Sequence, residues 1–244
     1  MNKNGILQNS IIAFAIVLSV IIASYSFVNR NSDKNTISVT GLSERNFESD
    51  LIVWKSQFTV KNSSLTAAYS EIKSNNAIIT SFLTEKGIKN EEMTFSAVEI
   101  AKEYIYTNGP GGTSYQSFDG YRLNQSVSIS SGDVEKIEKL SREITELINK
   151  GIEITSMAPQ YYYTKLANLK LEMLAEATKD GLQRAETIAK NGDASLGSLV
   201  NSTQGVFQIV GFNSAEDYSW GGAFNTSSKK KTASVTVKLM YKAK

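Results

Sequence analysis

The sequence predicts an α+β fold, a largely antiparallel sheet with helices packed on one face, preceded by an N-terminal transmembrane helix. Three observations predict it. Short stretches alternate apolar and polar residues with period two, the mark of half-buried strands. Three longer stretches repeat apolar residues with helical period, each ending at a glycine. Residues 11–28 carry no charge at all.

Residues 1–10 form a short N-terminal segment whose only charged side chain is Lys3. Residues 11–28 read IIAFAIVLSVIIASYSFV, about 27 Å as a helix, just enough for a hydrocarbon core. The run is apolar all round rather than striped, which argues against a buried amphipathic helix. An uncleaved anchor and a cleaved secretory signal both place the remainder across a membrane. The run exceeds the usual signal core, and Ala23-Ser24-Tyr25-Ser26 is a poor cleavage site, so the anchor is favoured. With no cysteine, a lipoprotein anchor is excluded. Lys3 and the α-amino group lean toward an inside N-terminus. The expected placement is a single-pass membrane protein with its C-terminal domain across the membrane from its N-terminus.

Residues 29–35 are a polar linker, and residues 36–244 are expected to form one domain. TISVT at 36–40 starts a strand that Gly41 breaks. Residues 51–60 form a strand with Ile52, Trp54, Phe58 and Val60 on one face and Lys55, Gln57 and Thr59 on the other. The period then lengthens: Leu65, Tyr69, Ile72, Ile79 and Leu83 mark a helix from Ser64 to Lys86, stopped by Gly87. Asn76 falls within that stripe, as a hydrogen-bonded buried amide or at the helix edge. Strands are expected over 93–106 and 121–130, joined by a flexible loop, 107–120, containing Gly109, Pro110, Gly111 and Gly112. Asp133 caps a second helix through Val134, Ile137, Leu140, Ile144, Leu147 and Ile148, ended by Gly151. A strand over 152–158 precedes Pro159. A third helix over 166–190 places Leu166, Leu169, Met173, Ala177, Ala185 and Ile188 inside, and Gly192 stops it. Strands over 199–210 and 232–241 close the chain, separated by a loop over 211–228.

Composition removes most familiar chemistry. The chain has 26 Lys+Arg against 24 Asp+Glu, a net charge of +2, too little for a dedicated nucleic-acid binder. It has no Cys and no His, which excludes thiol nucleophiles, imidazole bases, Ser-His-Asp triads and Cys/His zinc sites. Glu172, Glu176 and Asp180 could hold a divalent cation, yet such a stripe is more often a solvated helix face. Lys229, Lys230 and Lys231 read as charges guarding a strand edge against unwanted pairing. The glycines at 109–112 lack the Lys-Ser/Thr and helix of a phosphate loop. No catalytic residue, metal or cofactor is expected.

Three stretches together resemble the SIMPL (DUF541) domain of bacterial envelope proteins. ISVTGLSE at 37–44 resembles the family's opening strand, with Gly41 in place and Ser43 replacing a second glycine. The 65–87 helix resembles the family's first helix and carries Asn76 where an asparagine is usual. LAEATKDGLQRAETIAKNGDASLGSLV at 174–200 is the strongest match: Ala177, Asp180, Ala185, Ala189, Gly192, Leu196 and Gly197 fit the family pattern, while Gly181 replaces an alanine. Small residues at 177, 181, 185 and 189 permit close helix packing, Asp180 and Arg184 form an i,i+4 pair, and Gly192 and Gly197 suit a helix stop and a tight turn. The motif therefore argues for architecture rather than catalysis.

Tyr161, Tyr162, Tyr163, Tyr115, Tyr218 and Trp220 put amphipathic rings near loops and strand ends, which favours interfaces. The missing His and Cys make a non-enzymatic protein the expectation, and the resemblance implies an envelope protein of a bacterial inner membrane, its C-terminal domain in the periplasm or outside the cell, that assembles with itself into a ring or cage with a structural or oxidative-stress-protective role. The other reading is a binding module whose aromatic loops contact a polysaccharide, peptidoglycan or a partner protein.

Overall fold

The computed structural model describes residues 3–29, 35–108 and 114–244, and in its first helix the side chains of 12–27. Among the described residues the chain runs α1 (Lys3–Asn29), β1 (Thr36–Glu48), β2 (Leu51–Asn62), α2 (Leu65–Glu85), β3 (Met93–Phe95), β4 (Glu99–Asn108), β5 (Ser114–Ser131), α3 (Val134–Glu143), β6 (Glu153–Ser156), β7 (Gln160–Tyr162), α4 (Leu166–Asn191), β8 (Leu196–Gln204), β9 (Gln208–Gly211) and β10 (Lys230–Ala243). The fold is α+β with antiparallel sheets and four helices. It divides into two compact units. The first is Met1–Glu44, Lys170–Phe207 and Ser234–Lys244; the second is Arg45–Leu169 and Gln208–Ala233.

The second unit is built on β2 and β5, paired antiparallel from Ile52 opposite Ser131 to Asn62 opposite Tyr121. Period-two alternation puts Ile52, Trp54, Phe58 and Val60 on the same face as Leu123, Val127 and Ile129, and all are buried. Helices α2 and α3 cover that face with Ala68, Ile72, Ile79, Leu83, Ile137 and Leu140. The other face is polar, with Lys55, Gln57 and Thr59 opposite Ser128, Ser126 and Asn124.

Helix α2 starts at Ser64, whose Oγ accepts the Ala67 N–H at 3.4 Å, and ends at Gly87 with φ of 79°. Its buried stripe runs Ala68, Ile72, Asn75, Ile79, Phe82 and Leu83. Tyr69, expected inside, lies about a hundred degrees round from Ala68 and is exposed; Leu65, in the first turn, is also partly open. Helix α3 tightens into a 3-10 turn over Ile144–Lys150 before the left-handed Gly151. Three residues per turn keep Ile144 and Leu147 buried and swing Ile148, expected on the apolar side, into solvent.

Two expected elements in this unit are corrected. Residues 107, 108 and 114–120 are strand rather than loop: β4 and β5 continue as a paired arm to Asn108 opposite Ser114, while the rest of the expected loop, with Gly109, Pro110, Gly111 and Gly112, lies outside the described residues. The arm takes a register shift between Glu103 and Tyr104 at Gly120, whose φ is 111° and whose Cβ would sit 2.8 Å from the Asn62 carbonyl oxygen. The strand expected over 93–106 is two strands, interrupted where Ser96 bonds to Ser126 through N–H and Oγ. After Pro159, Gln160, Tyr161 and Tyr162 form β7 against β2.

The first unit pairs β1 with β10 and β10 with β8, and α4 buries Met173, Ala177, Gly181, Ala185 and Ala189. Gly41 does not break β1. The strand passes through it because α4 crosses there: a Cβ on Gly41 would lie 2.0 Å from the Ala177 carbonyl oxygen and 2.5 Å from the Gly181 nitrogen. Ile188, expected inside, is 51% exposed, one residue round from the Ala185 and Ala189 stripe. The strand expected over 199–210 divides at Gly205, whose Cβ would meet Thr236 Oγ1 at 2.4 Å.

Helix α1 covers the segment expected to span a membrane, and its described side chains are exposed on every side. Those side chains, 12–27, extend about 24 Å; the side chains of Ile11 and Val28, the ends of the expected span, lie outside the described residues. Among the described residues no helix is long and apolar enough to cross a membrane.

Candidate functional site

The six aromatic residues singled out in the sequence fall in three places of the second unit. Tyr161, Tyr162 and Tyr163 are half-buried rather than presented. The Tyr161 hydroxyl donates to Glu138 Oε1 at 2.9 Å, and burial together with Glu138 pushes its pKa up to about 12. Tyr162 donates to Gln160 Oε1 at 2.9 Å, and the Tyr163 ring packs 4.9 Å from that of Phe47. These three rings are fastened to the fold.

Tyr115 lies on the hairpin arm opposite Thr107 and is exposed, as are Tyr104, Tyr106 and Phe118. Tyr104 and Phe118 face each other across the strands, rings 5.9 Å apart, and Phe118 meets Tyr121 at 5.1 Å. An ion-paired band crosses the base of the arm. Lys61 meets Glu103 at 3.1 Å and also pairs with Asp119, while Arg122 pairs with Glu103. The Arg122 and Lys61 hydrogen bonds hold the Glu103 pKa below the ordinary carboxylate value.

Tyr218 and Trp220 stand on the 212–229 loop, and Trp220 is 100% exposed. The loop is pinned from within. Gln208 donates to the Ser219 carbonyl at 2.8 Å and accepts the N–H groups of Ser219 and Ala223 at 3.1 and 2.8 Å. Glu216 accepts the Gly211 N–H at 3.1 Å and bonds to Asn225. Sequence reading identified the ring but not the side-chain amide that fixes it.

Lys231, expected with Lys229 and Lys230 to guard a strand edge, is instead buried. Only Lys230 of the run is freely exposed. Lys229 pairs with Glu48 at 3.3 Å and Glu135 at 3.7 Å. Lys231 is 1% exposed: its ammonium donates to the Ser228 carbonyl and lies 6.0 Å from the centre of the Tyr161 ring. Burial lowers its pKa to about 8, against the opposing pull of Glu216. The signal was parity, since Lys231 shares its side of β10 with the buried Ala233, Val235, Val237, Leu239 and Tyr241.

In the first unit the motif residues bind the fold together. Asp180 Oδ2 accepts the Leu42 N–H at 2.9 Å and the Arg184 Nε–H at 2.8 Å, and these bonds, Leu42 first, hold its pKa below the usual value. Ser43 donates to Glu176 Oε2 at 2.9 Å. Among the described residues no three or more His, Cys, Asp or Glu are placed to hold a metal ion. Gly197 does not turn the chain: it sits in β8, where a Cβ would come 2.9 Å from the Lys242 carbonyl. Gly192 does close α4, donating to Ile188 and Ala189, but the left-handed residue is Asp193, with φ of 54°. In the second unit Asn76 sits half-buried at the edge of α2, its amide 3.4 Å from Gln125 Oε1.

No curated protein matches the chain. A family model does: SIMPL, described as a protein of unknown function (DUF541), matches residues 37–241. That span includes the Gly41 crossing point, the Asp180 bond to the opening strand and the Gly181 contact with β10, so the chain belongs to the SIMPL (DUF541) family.

Proposed function

We propose that the protein is a membrane-tethered, non-enzymatic envelope protein whose SIMPL domain associates with copies of itself, in a structural or protective role. The observation that carries the tether is α1. Between Lys3 and Arg30 the sequence has no charged side chain, and within the described stretch 12–27 apolar residues such as Ile12, Phe14, Ile21, Ile22 and Phe27 are exposed on every side. A helix with no polar face finds its surroundings in hydrocarbon, and the backbone helix Lys3–Asn29 is about 40 Å long. The non-enzymatic reading is supported by the absence of His and Cys and by the bonding of Asp180 to backbone. Self-association is supported by the arm bearing Tyr104, Tyr106, Tyr115 and Phe118, since exposed aromatic clusters mark contact surfaces.

Fractionation of bacterial cells expressing the whole chain tests the tether. The chain is expected in the membrane pellet after alkaline carbonate washing, with its C-terminal domain digested by protease added outside the inner membrane. Recovery in the cytosolic supernatant overturns the reading.

Trp220 favours a second reading, contact with an envelope polysaccharide. A fully exposed indole on a pinned loop, next to Gly221 and Gly222, offers a flat face for stacking on a sugar ring. The chain has two tryptophans, and Trp54 is buried, so acrylamide quenching reports Trp220 almost alone. Isolated peptidoglycan sacculi are expected to protect that emission, and Trp220→Ala to weaken sedimentation with sacculi about tenfold. Unchanged quenching with sacculi present contradicts this second reading.

A further inference from the structure

Among the described residues the sheet of the first unit has two open edges, and the geometry points to their joining between copies, the β1 edge of one chain against the β8 edge of the next. This rests on the self-association proposed above and supplies its interface.

The first edge follows from register. The Ala243 N–H donates to the Asn35 carbonyl at 2.8 Å, so residues 35, 37, 39 and 41 turn their backbone groups toward β10, and Ser38, Thr40 and Leu42 turn theirs away. Leu42 bears this out: its N–H is taken by Asp180 at 2.9 Å. The Asp180 cap closes the edge at residue 42. Ser38 and Thr40 instead line an open groove of about 590 Å³, with Val39, Arg184, Thr187 and Ile188. The half-exposed Ile188 gives that groove an apolar wall.

The second edge is β8. Gly205 donates to the Thr236 carbonyl at 2.8 Å, and Ser202 and Gln204 stand opposite Leu239 and Val237. Their backbone groups therefore point away from β10, where β8 is the last strand of its sheet. Edges are normally guarded by charge, proline or a bulge. TISVT at 36–40 and LGSLVNSTQ at 196–204 have neither charge nor proline, and Leu199 and Val200 are exposed. The register shifts at Tyr241 confine regular pairing to Asn201–Gln204, a length close to that of the open part of β1.

Direction fits as well. Gly181 lies against both Gly41 and Leu239, which with the Asn35–Ala243 bond makes β1 antiparallel to β10. Strand β8 is antiparallel to β10 too, so β1 and β8 run parallel. A copy rotated about an axis along the strands then lays its β8 beside β1 and continues the sheet. Such a head-to-tail contact repeats from chain to chain and closes into a ring when the rotation permits.

The chain has no cysteine, which makes the test clean. In the purified whole chain, Thr40→Cys combined with Thr203→Cys, whose side chains lie on the same face of the joined sheet, is expected to give a ladder of covalent dimers, trimers and larger species with a short bis-maleimide, while each single variant stays uncrosslinked. Thr40→Pro removes an N–H that the register turns away from β10 and is expected to weaken association at least tenfold with the circular dichroism unchanged. A multimer by mass without a ladder overturns the edge pairing and leaves self-association standing. A ladder-free monomer overturns both. Dimers from Thr40→Cys alone overturn the head-to-tail arrangement.

Discussion

Replacing Lys231 with methionine stabilises the second unit and removes a pH dependence. The Lys231 ammonium is buried among Tyr161, the Ser228 carbonyl and the loop held by Glu216, and its pKa falls from 10.5 to about 8. A depressed amine pKa means that the folded state disfavours the charged form. Between pH 8 and 10.5 the unfolded chain therefore binds more protons than the folded one, and stability rises with pH across that window. Below pH 8 both states are protonated and the cost of the buried charge is fully present. Methionine keeps the aliphatic stem and drops the charge, so Lys231→Met is expected to gain about 1–2 kcal/mol at pH 7, as buried charges replaced by apolar groups often do. Denaturant unfolding of the whole chain at pH 7 and pH 10 measures this. The native chain should be more stable at the higher pH relative to the variant, and a variant less stable at pH 7 contradicts the assignment.

The second large effect belongs to Gly41. Alanine there places a methyl 2.0 Å from the Ala177 carbonyl oxygen and 2.5 Å from the Gly181 nitrogen. Both are helix backbone, so β1 or α4 must move bodily, and the Asp180 bond to Leu42 goes with them. Overpacking of this kind costs about 3 kcal/mol or more. Gly181→Ala is the control, because its Cβ would meet Leu239 Cδ1 at 2.7 Å, the movable end of a side chain, and a cost of about 1 kcal/mol is expected. Hydrogen exchange in β1 and α4, read with thermal unfolding, separates the two variants. A Gly41→Ala chain within about 0.5 kcal/mol of the original contradicts the crossing contact.

What the sequence made legible was local. Ser64, Gly87, Asp133 and Gly151 marked helix ends because capping and left-handed turns depend on neighbours a few residues away. Strand β2 announced itself through Ile52, Trp54, Phe58 and Val60. What stayed hidden needed a distant partner. Gly41 looked like a strand breaker until α4 was laid across it. The hairpin arm looked like a loop because Thr107–Gly120 is rich in glycine and serine, whereas the pairing of Tyr104, Tyr106 and Thr107 with Phe118, Gln116 and Tyr115 extends the ladder. Tyr161 was legible as an amphipathic ring, but its bond to Glu138 and the neighbouring Lys231 ammonium come from distant segments. Trp220 was legible as exposed, but the Gln208 amide that organises its loop bonds across ten or more residues and left no local trace.

The claim on which the functional account turns is that this domain works by joining copies of itself. The mass of the detergent-extracted whole chain, measured by native mass spectrometry, tests it most directly. A discrete multiple of the 26.8 kDa subunit that persists on dilution is the predicted result, and a chain that remains a single subunit at every concentration contradicts it.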